Sequence, residues 1–583
     1  MPEQRNLIVA IVLSMAVLFG YEYFFAPKTS SPETGQPQAA APLTPPEQPA
    51  APTAMVPPGG PGASVVPEAS AVVQTRAQAV AGARIAIETP ALRGSLRLQG
   101  ARLDDLTLRG YTEQVDPTSP EIDLLSPTGA PNPYYAEFGW TPAQAGVAVP
   151  GADTPWQSDA TTLTQDKPVT LTWDNGQGLR FVRKIVLDDA YMFTITQTVE
   201  NTGGQAVTLY PYGLISRTGT PPTLGYYILH EGPLGVFDGA LKEVKYKDLK
   251  DDENLIAQPT TGGWIGITDK YWLTALVPDQ KTAVNTRFLF QPRAGTDGYQ
   301  VDFMGGAVTV APGQTISVEN HLFAGVKKVD LLDRYQDGLQ ITNFDLAIDF
   351  GWFYFLTKPF FLAIKFLHGY LGNMGLAILA FTVVLKILFY PLANKSYVSM
   401  SKMKLLAPEM KKLQERFGED RVRLNQEMMA LYQKEKVNPL SGCLPILVQI
   451  PVFFALYKVL FVSIEMWHAP FYGWIHDLSA PDPTSLFNLF GLIPWDPPNV
   501  LMIGAWPCIM GLTMYVQQKL NPTPTDPTQA KIMMLLPFIF TYMLGHFAAG
   551  LVIYWTWNNA LSILQQWVIM KRLDRKQKRA AAA

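Results

Sequence analysis

The chain has 583 residues, of which 16% are charged and 48% apolar; soluble proteins average about a quarter charged, so the deficit argues against an ordinary cytosolic protein. A net charge of −3 gives no global pull toward DNA or other nucleic acid. Two cysteines exclude a disulfide framework and a four-cysteine zinc site. Mean hydropathy near zero fits a soluble portion joined to a membrane portion, and the length calls for several domains. Cys443 and Cys508 both fall in apolar runs, which permits an oxidising compartment for the soluble portion.

In chain order, residues 1–26 contain the apolar run Leu7–Phe25, interrupted only by Glu22. Its length approaches a bilayer span. A cleaved signal peptide is the competing reading, but bulky Tyr21, Tyr23, Phe24 and Phe25 stand where small cleavage-site residues belong. A retained transmembrane anchor is expected. Residues 27–79 are rich in Pro, Ala, Ser and Gln and read as an extended, disordered tether. From residue 80 to 346 the pattern becomes that of a β-sandwich domain. Phe181, Arg183, Ile185 and Leu187 alternate; after an Asp-Asp turn Tyr191, Phe193, Ile195 and Val199 share a face, and Asn201-Thr202-Gly203-Gly204 turns the chain again.

Residues 351–370 read as an amphipathic helix lying in the membrane interface, with Lys358, Lys365 and His368 on one face. Five apolar runs follow within residues 371–570: Met374–Leu392, Leu444–Val462, Val500–Val516, Ile532–Phe547 and Gly550–Met570. With the first anchor they make six transmembrane helices. Lys395 to Leu440 carries ten Lys/Arg against six acids, whereas Ser463–Asn499 has neither Lys nor Arg. Residues 571–583 form a basic tail containing Lys571, Arg572, Arg575, Lys576, Lys578 and Arg579. The positive-inside rule then puts both termini in the cytoplasm and the β-domain outside. The fold class is therefore multi-domain: a polytopic α-helical membrane core plus an external β-sandwich.

Conventional catalytic motifs are missing from the sequence: no phosphate loop, no G-x-S-x-G elbow and no H-E-x-x-H pair. Neither enzyme chemistry nor a metal or cofactor is expected. The sharpest feature is Lys386, within GLAILAFTVVLKILFYPL. An ammonium at the centre of a spanning helix costs about 2.5–3.5 kcal/mol on insertion scales. Lys386 lies about six residues from the cytoplasmic end, roughly 9 Å deep at 1.5 Å per residue. One reading is a lysine snorkelling to head groups. The other is a cation facing a wet cavity, favoured by Thr382 and Tyr390 one turn away on either side, which would complete a polar stripe on one helical face. Gln449, Gln517, Gln518, Asn558 and Asn559 lie in other spans. Each alone suits an interhelical hydrogen bond; together with Lys386 they suit a shared groove.

Residues 395–440 read as a helical hairpin. Met403, Leu406, Met410, Leu413 and Phe417 follow coiled-coil spacing, Gly418-Glu419-Asp420 turns the chain, and Leu424, Met428 and Leu431 resume it. Pro408 is expected to kink the first arm. The basic tail serves either as a topology signal alone or as a contact for ribosomal RNA or anionic lipid.

These residues resemble the YidC family of bacterial membrane protein insertases. EKVNPLSGCLPILVQIPVFFALYKVL (435–460) carries the most specific likeness, joined by GWFYFLTKPFF, the KILFYPL run beginning at Lys386, APFYGWIHDLSAPDP and GLVIY. The resemblance implies an inner-membrane location and a periplasmic β-supersandwich. It further implies a five-helix insertase core whose cationic hydrophilic groove, open to cytoplasm and lipid, aligns its cation with Lys386. Nascent membrane proteins, the Sec translocon and the ribosome are the implied partners, with chaperoning of folding as a second task. Many relatives carry arginine at Lys386. Substrate-contacting aromatic positions fall on Met543, where the aromatic character is absent, and on Trp555, with Tyr554 adjacent. A transporter or channel is the alternative; no inverted repeat and no acidic residue suited to proton coupling within the spans supports it.

Overall fold

The computed structural model describes residues 74–582 apart from 117, 224–228, 252–254, 293–294, 352, 419, 436–443 and 522–526. The expected anchor at 1–26 and nearly all of the 27–79 tether lie outside the described residues. Two compact units meet in sequence between Asp349 and Phe350.

In the first unit the described strands form sheets of eleven and nine strands. The hairpin legible in the sequence sits in the nine-stranded sheet. Strand Leu179–Leu187 buries alternate residues and pairs antiparallel with Met192–Asn201, Ile195 opposite Ile185 and Val199 opposite Phe181. Asp188 fixes the turn by accepting the Ala190 and Met192 amides at 2.9 and 3.0 Å. The neighbour on the far side, Thr315–Val326, extends the sheet. Burial at every second position puts one face of the strand pair into the core. Arg183 is the polar exception on that face: its guanidinium donates to the Ala101 carbonyl at 3.0 Å and to that of Phe138, both in or beside the other sheet. It also lies over the Trp156 ring at 4.9 Å. The sheets thus meet as a large β-sandwich, closed by helix α1 (Val329–Gly338), whose Tyr335 hydroxyl donates to Asp188 at 2.5 Å.

The second unit is helical. Helix α2 (Tyr354–Leu371) buries Thr357, Phe361 and Ile364 on one face and exposes Phe355, Leu362, Phe366 and Tyr370 on another. Helix α3 (Met374–Leu388) is capped by Asn373, whose side chain accepts the Leu376 amide at 3.0 Å. Helix α4 (Tyr390–Phe417) follows after a 67° bend. The expected span therefore stops at Leu388 rather than Leu392. Pro391 accounts for the break, because it lacks the amide that would bond Ile387 and its ring would crowd that carbonyl. Pro408, expected to kink, stands inside α4 without ending it.

Helix α5 (Arg421–Lys434) completes the hairpin, with Asp420 capping it by accepting the Arg423 amide at 3.1 Å. Helix α6 is Leu444–Val462. Helix α7 (Ala505–Leu520) begins and ends later than the apolar run 500–516 suggests. Helix α8 is Pro527–Leu544. Helix α9 (Ala549–Ala582) runs on through the basic segment, so the tail continues the last helix as one piece.

Among the described residues no single helix is long and apolar enough to cross a membrane by itself. The bent α3–α4 pair meets that measure together, and Val448–Val462 and Lys531–Leu544 are shorter apolar helices. Polar residues dilute α9, and it is on these that the site is built.

Candidate functional site

Helix α9 is the spine of the site. Tyr554, Asn558, Ser562 and Gln566 recur at spacing four, so they wind slowly along one side of it. Tyr554, Ser562 and Gln566 are buried. Each side chain reaches a different neighbour. The Tyr554 hydroxyl receives the Gln449 amide of α6 at 3.5 Å. Ser562 accepts the Lys386 ammonium of α3 at 2.8 Å and donates to the Asn558 carbonyl at 2.8 Å. Gln566 donates to the Leu520 carbonyl at the end of α7 at 3.2 Å. The Trp557 indole donates to the Leu379 carbonyl of α3 at 3.2 Å, fixing the α3–α9 register one level above. Tyr397 of α4 also engages Ser562.

Lys386 therefore turns toward α9, and its half-buried ammonium makes no ion pair among the described residues. Sequence reasoning sought the polar stripe on α3. Thr382 is buried and its hydroxyl is committed to its own helix, donating to the Ile378 carbonyl at 2.7 Å. Tyr390 lies beyond the bend and is exposed, so it does not share a helical face with Lys386. The continuous stripe belongs to α9.

Trp555 stacks on Phe453 of α6 with centroids 4.8 Å apart and planes within 8°, and meets Phe540 of α8 edge-on at 6.1 Å. It borders an apolar cluster of Met510, Leu544 and Val552. Gln518 is half-buried on α7 and Met543 is exposed on α8. The structure thus joins Lys386 with Ser562 and Gln449 with Tyr554 along one helix, and places Trp555 in an aromatic stack beside them. Ser562 and Gln566 were missed by sequence reasoning; the recurrence of polar residues every fourth position from Tyr554 was the available signal.

The hairpin seam is intact. Met403, Leu406, Met410, Leu413 and Phe417 are all half-buried, as are Leu424, Met428 and Leu431 opposite, while Leu405, Val422 and Met429 face outward. The Tyr432 hydroxyl donates to the Met410 sulfur at 3.6 Å. Lys571, Arg572 and Arg575 lie on α9, and the Lys571 ammonium sits 4.6 Å from the Trp567 ring centroid. The side chains of Lys576, Lys578 and Arg579 lie outside the described residues.

Two family models cover most of the chain. Residues 84–363 match the YidC periplasmic domain, and residues 366–577 match the 60Kd inner membrane protein family. A β-sandwich of the first kind followed by a helical unit of the second defines a bacterial inner-membrane protein with a large periplasmic domain. Relatives agree along nearly the full length. A membrane protein insertase YidC from Methylobacterium nodulans is 53% identical over 98% of this chain and 95% of its own. The proteins of the same name from Granulibacter bethesdensis and Bradyrhizobium diazoefficiens are each 50% identical, over 98% of this chain and 98% and 97% of theirs. The chain belongs to the YidC family of membrane protein insertases, as the motifs around 435–460 suggested, and the transporter reading is not favoured. An active YidC insertase crystal structure aligns over 83% of this chain and 92% of its own at 16% identity, with a TM-score of 0.35.

Proposed function

We propose that this protein inserts nascent inner-membrane proteins and assists their folding, using the α3–α9 surface around Lys386 as a hydrophilic groove open to cytoplasm and lipid. The observation that carries the reading is the ammonium of Lys386, held on α9 by Ser562 with no carboxylate beside it among the described residues. An unneutralised cation turned toward its own helical unit is a receptor for a negative group. Nearby, Gln565 Nε2 and Gln566 Oε1 are buried without hydrogen-bond partners among the described residues, leaving capacity for a polar guest.

The energetics fit passive insertion. An apolar segment gains about 25 cal/mol per Å² on leaving water. Its polar flank is the barrier, because unpaired polar groups cost several kcal/mol each in hydrocarbon. A polar groove in the cytoplasmic leaflet shortens the dry path. Lys386 attracts an acidic flank, Gln449 and Gln518 offer amide groups, and Tyr390 stands at the cytoplasmic mouth. Met543 and Trp555 line the route of the apolar part, with buried Tyr554 behind them, and that part slides sideways into lipid. Six spans, both termini in the cytoplasm and the β-domain in the periplasm place the α4–α5 hairpin where a chain emerging from a ribosome arrives. The basic end of α9, Lys571 to Arg579, suits ribosomal RNA or anionic lipid. Cooperation with the Sec translocon is the same surface receiving segments from a neighbouring channel.

Site-specific photocrosslinking tests this. Probes at Lys386 and Trp555 are expected to capture a ribosome-stalled, single-span nascent chain, and a probe at exposed Val115 of the β-domain is not. Capture from neither position with insertion intact would remove the groove from the pathway.

A further inference from the structure

The segment joining α6 to α7 carries an exposed apolar patch that insertion through the groove does not use. Phe487, Leu489, Phe490, Leu492, Ile493 and Trp495 are all exposed, Leu492 at 83%. Such a patch on a water-facing loop is uncommon, and contiguous exposed apolar surface marks a contact.

The loop is built, not loose. At its root, buried Asp482 accepts the Trp474 indole at 3.1 Å, the Thr484 hydroxyl at 2.7 Å and, through its other oxygen, the Trp506 amide in the first turn of α7 at 2.9 Å. A side chain at Gly504 would strike Asp482, so the approach is tight. Ser485 donates to the Leu501 carbonyl at 2.9 Å and the Leu486 amide to that of Ile503 at 2.8 Å, zipping the two stems together. At the tip the backbone bonds to itself: Phe490 to Ser485 at 2.7 Å and Ile493 to Asn488 at 3.0 Å. The Asn488 side chain accepts the Gly491 amide at 3.0 Å. Leu489 and Phe490 have φ of 49° and 58°, a left-handed conformation rare for bulky residues. The arrangement pairs these backbone groups internally while presenting apolar side chains outward, which lowers the cost of bringing irregular backbone up to an apolar boundary.

Charge singles out the occupant. Asp496 is the sole charged residue between Leu486 and Val500, and no Lys or Arg occurs from Ser463 to Asn499. The patch offers no cation to nucleic acid and a single carboxylate to a charged protein partner. The patch is tied through the Leu486–Ile503 bond to the stem that leads into α7 of the helical unit, and Trp495 suits the interfacial belt where indoles gather. We propose that residues 486–495 form a wedge seated at the outer leaflet, its apolar side chains reaching lipid acyl chains near the start of α7. This rests on the six-span topology proposed above.

The test is depth measurement on full-length protein with Cys443→Ser and Cys508→Ser, reconstituted in vesicles of phosphatidylethanolamine and phosphatidylglycerol. Single nitroxide labels are placed at Leu492, at Leu512 on the exposed face of α7, and at exposed Val115 of the β-domain. Collision with apolar oxygen is compared with collision with a water-soluble nickel chelate. The oxygen-to-nickel ratio at Leu492 is expected to exceed that at Val115 severalfold and to approach that at Leu512. A nickel-accessible Leu492 with Leu512 deep overturns the wedge and leaves the topology standing. Protection of Leu492 only when a second protein is added overturns it in favour of a protein contact. A shallow Leu512 overturns the topology itself, and the wedge with it. Because Leu492 is almost fully exposed, the label does not disturb packing, and a Leu492→Asp variant labelled at Trp495 gives an independent reading: its ratio is expected to drop toward that of Val115, and an unchanged high ratio overturns an apolar wedge.

Discussion

Replacing Lys386 by Gln removes the cation while keeping a side chain that can still bond Ser562. A carboxylate about 6 Å from the ammonium, at an effective dielectric near 20, is attracted by roughly 3 kcal/mol. The site is half open, so screening removes about half of that, leaving about 1.5 kcal/mol, or roughly tenfold in rate or partition. The attraction acts only on an acidic flank. Insertion of a single-span substrate with Asp and Glu ahead of its apolar segment is therefore expected to slow about tenfold in Lys386→Gln, while the same substrate with Asn and Gln there changes less than about twofold. Protease protection of radiolabelled chains in proteoliposomes reads both. Lys386→Arg is expected to retain the discrimination, because the charge persists. Equal slowing of both substrates, or of neither, in a variant that still unfolds at the parental temperature refutes the electrostatic account.

Three further outcomes are expected. Ser562→Ala removes the hydroxyl that receives the Lys386 ammonium at 2.8 Å. Bonds to charged groups contribute about 1.5–3 kcal/mol, so acidic-flank substrates are expected to lose part of their advantage in the same protease-protection assay, with Ser562→Thr restoring it. Gly511→Val drives a side chain into Thr541, whose hydroxyl already lies 2.0 Å from the position of an added Cβ. Overpacking of this kind costs about 1–3 kcal/mol, read as a lowered unfolding temperature of the full chain in detergent. In the β-domain, burial lowers the His230 imidazole from 6.5 to about 4, against the opposing bond to the Pro233 carbonyl. The unfolded chain binds more protons between those values, so stability rises with pH across that window and is lost on acidification from 6.5 toward 4. The contribution is about 3 kcal/mol at most. A His230→Gln variant is expected to flatten that part of the stability–pH curve measured by thermal unfolding.

The features readable from the residues were those with a strong local period. Phe181 to Leu187 and Phe193 to Val199 alternate because one face of each strand is core, and the Asp188 turn fixes their register within a few residues. The hairpin seam from Met403 to Leu431 was legible for the same reason, with a period of three and four. The bend at Phe389 was hidden: apolar residues continue through Leu388 and Phe389, and hydropathy does not register that Pro391 lacks an amide for Ile387. The partner of Lys386 was also hidden. Ser562 lies 176 positions away, and a small hydroxyl that bonds its own helix carries little hydropathy signal. Thr382 misled for the converse reason, since its one proton is already given to Ile378.

The unbroken course of α9 from Ala549 to Ala582 has a mechanical meaning. Thirty-four residues make a rod of about 50 Å. The serine that steadies the half-buried ammonium and the cationic residues from Lys571 onward are points on that same rod, without a hinge between them. A load applied at the far end of such a rod would reach the near one as a tilt of the helix on which Lys386 leans.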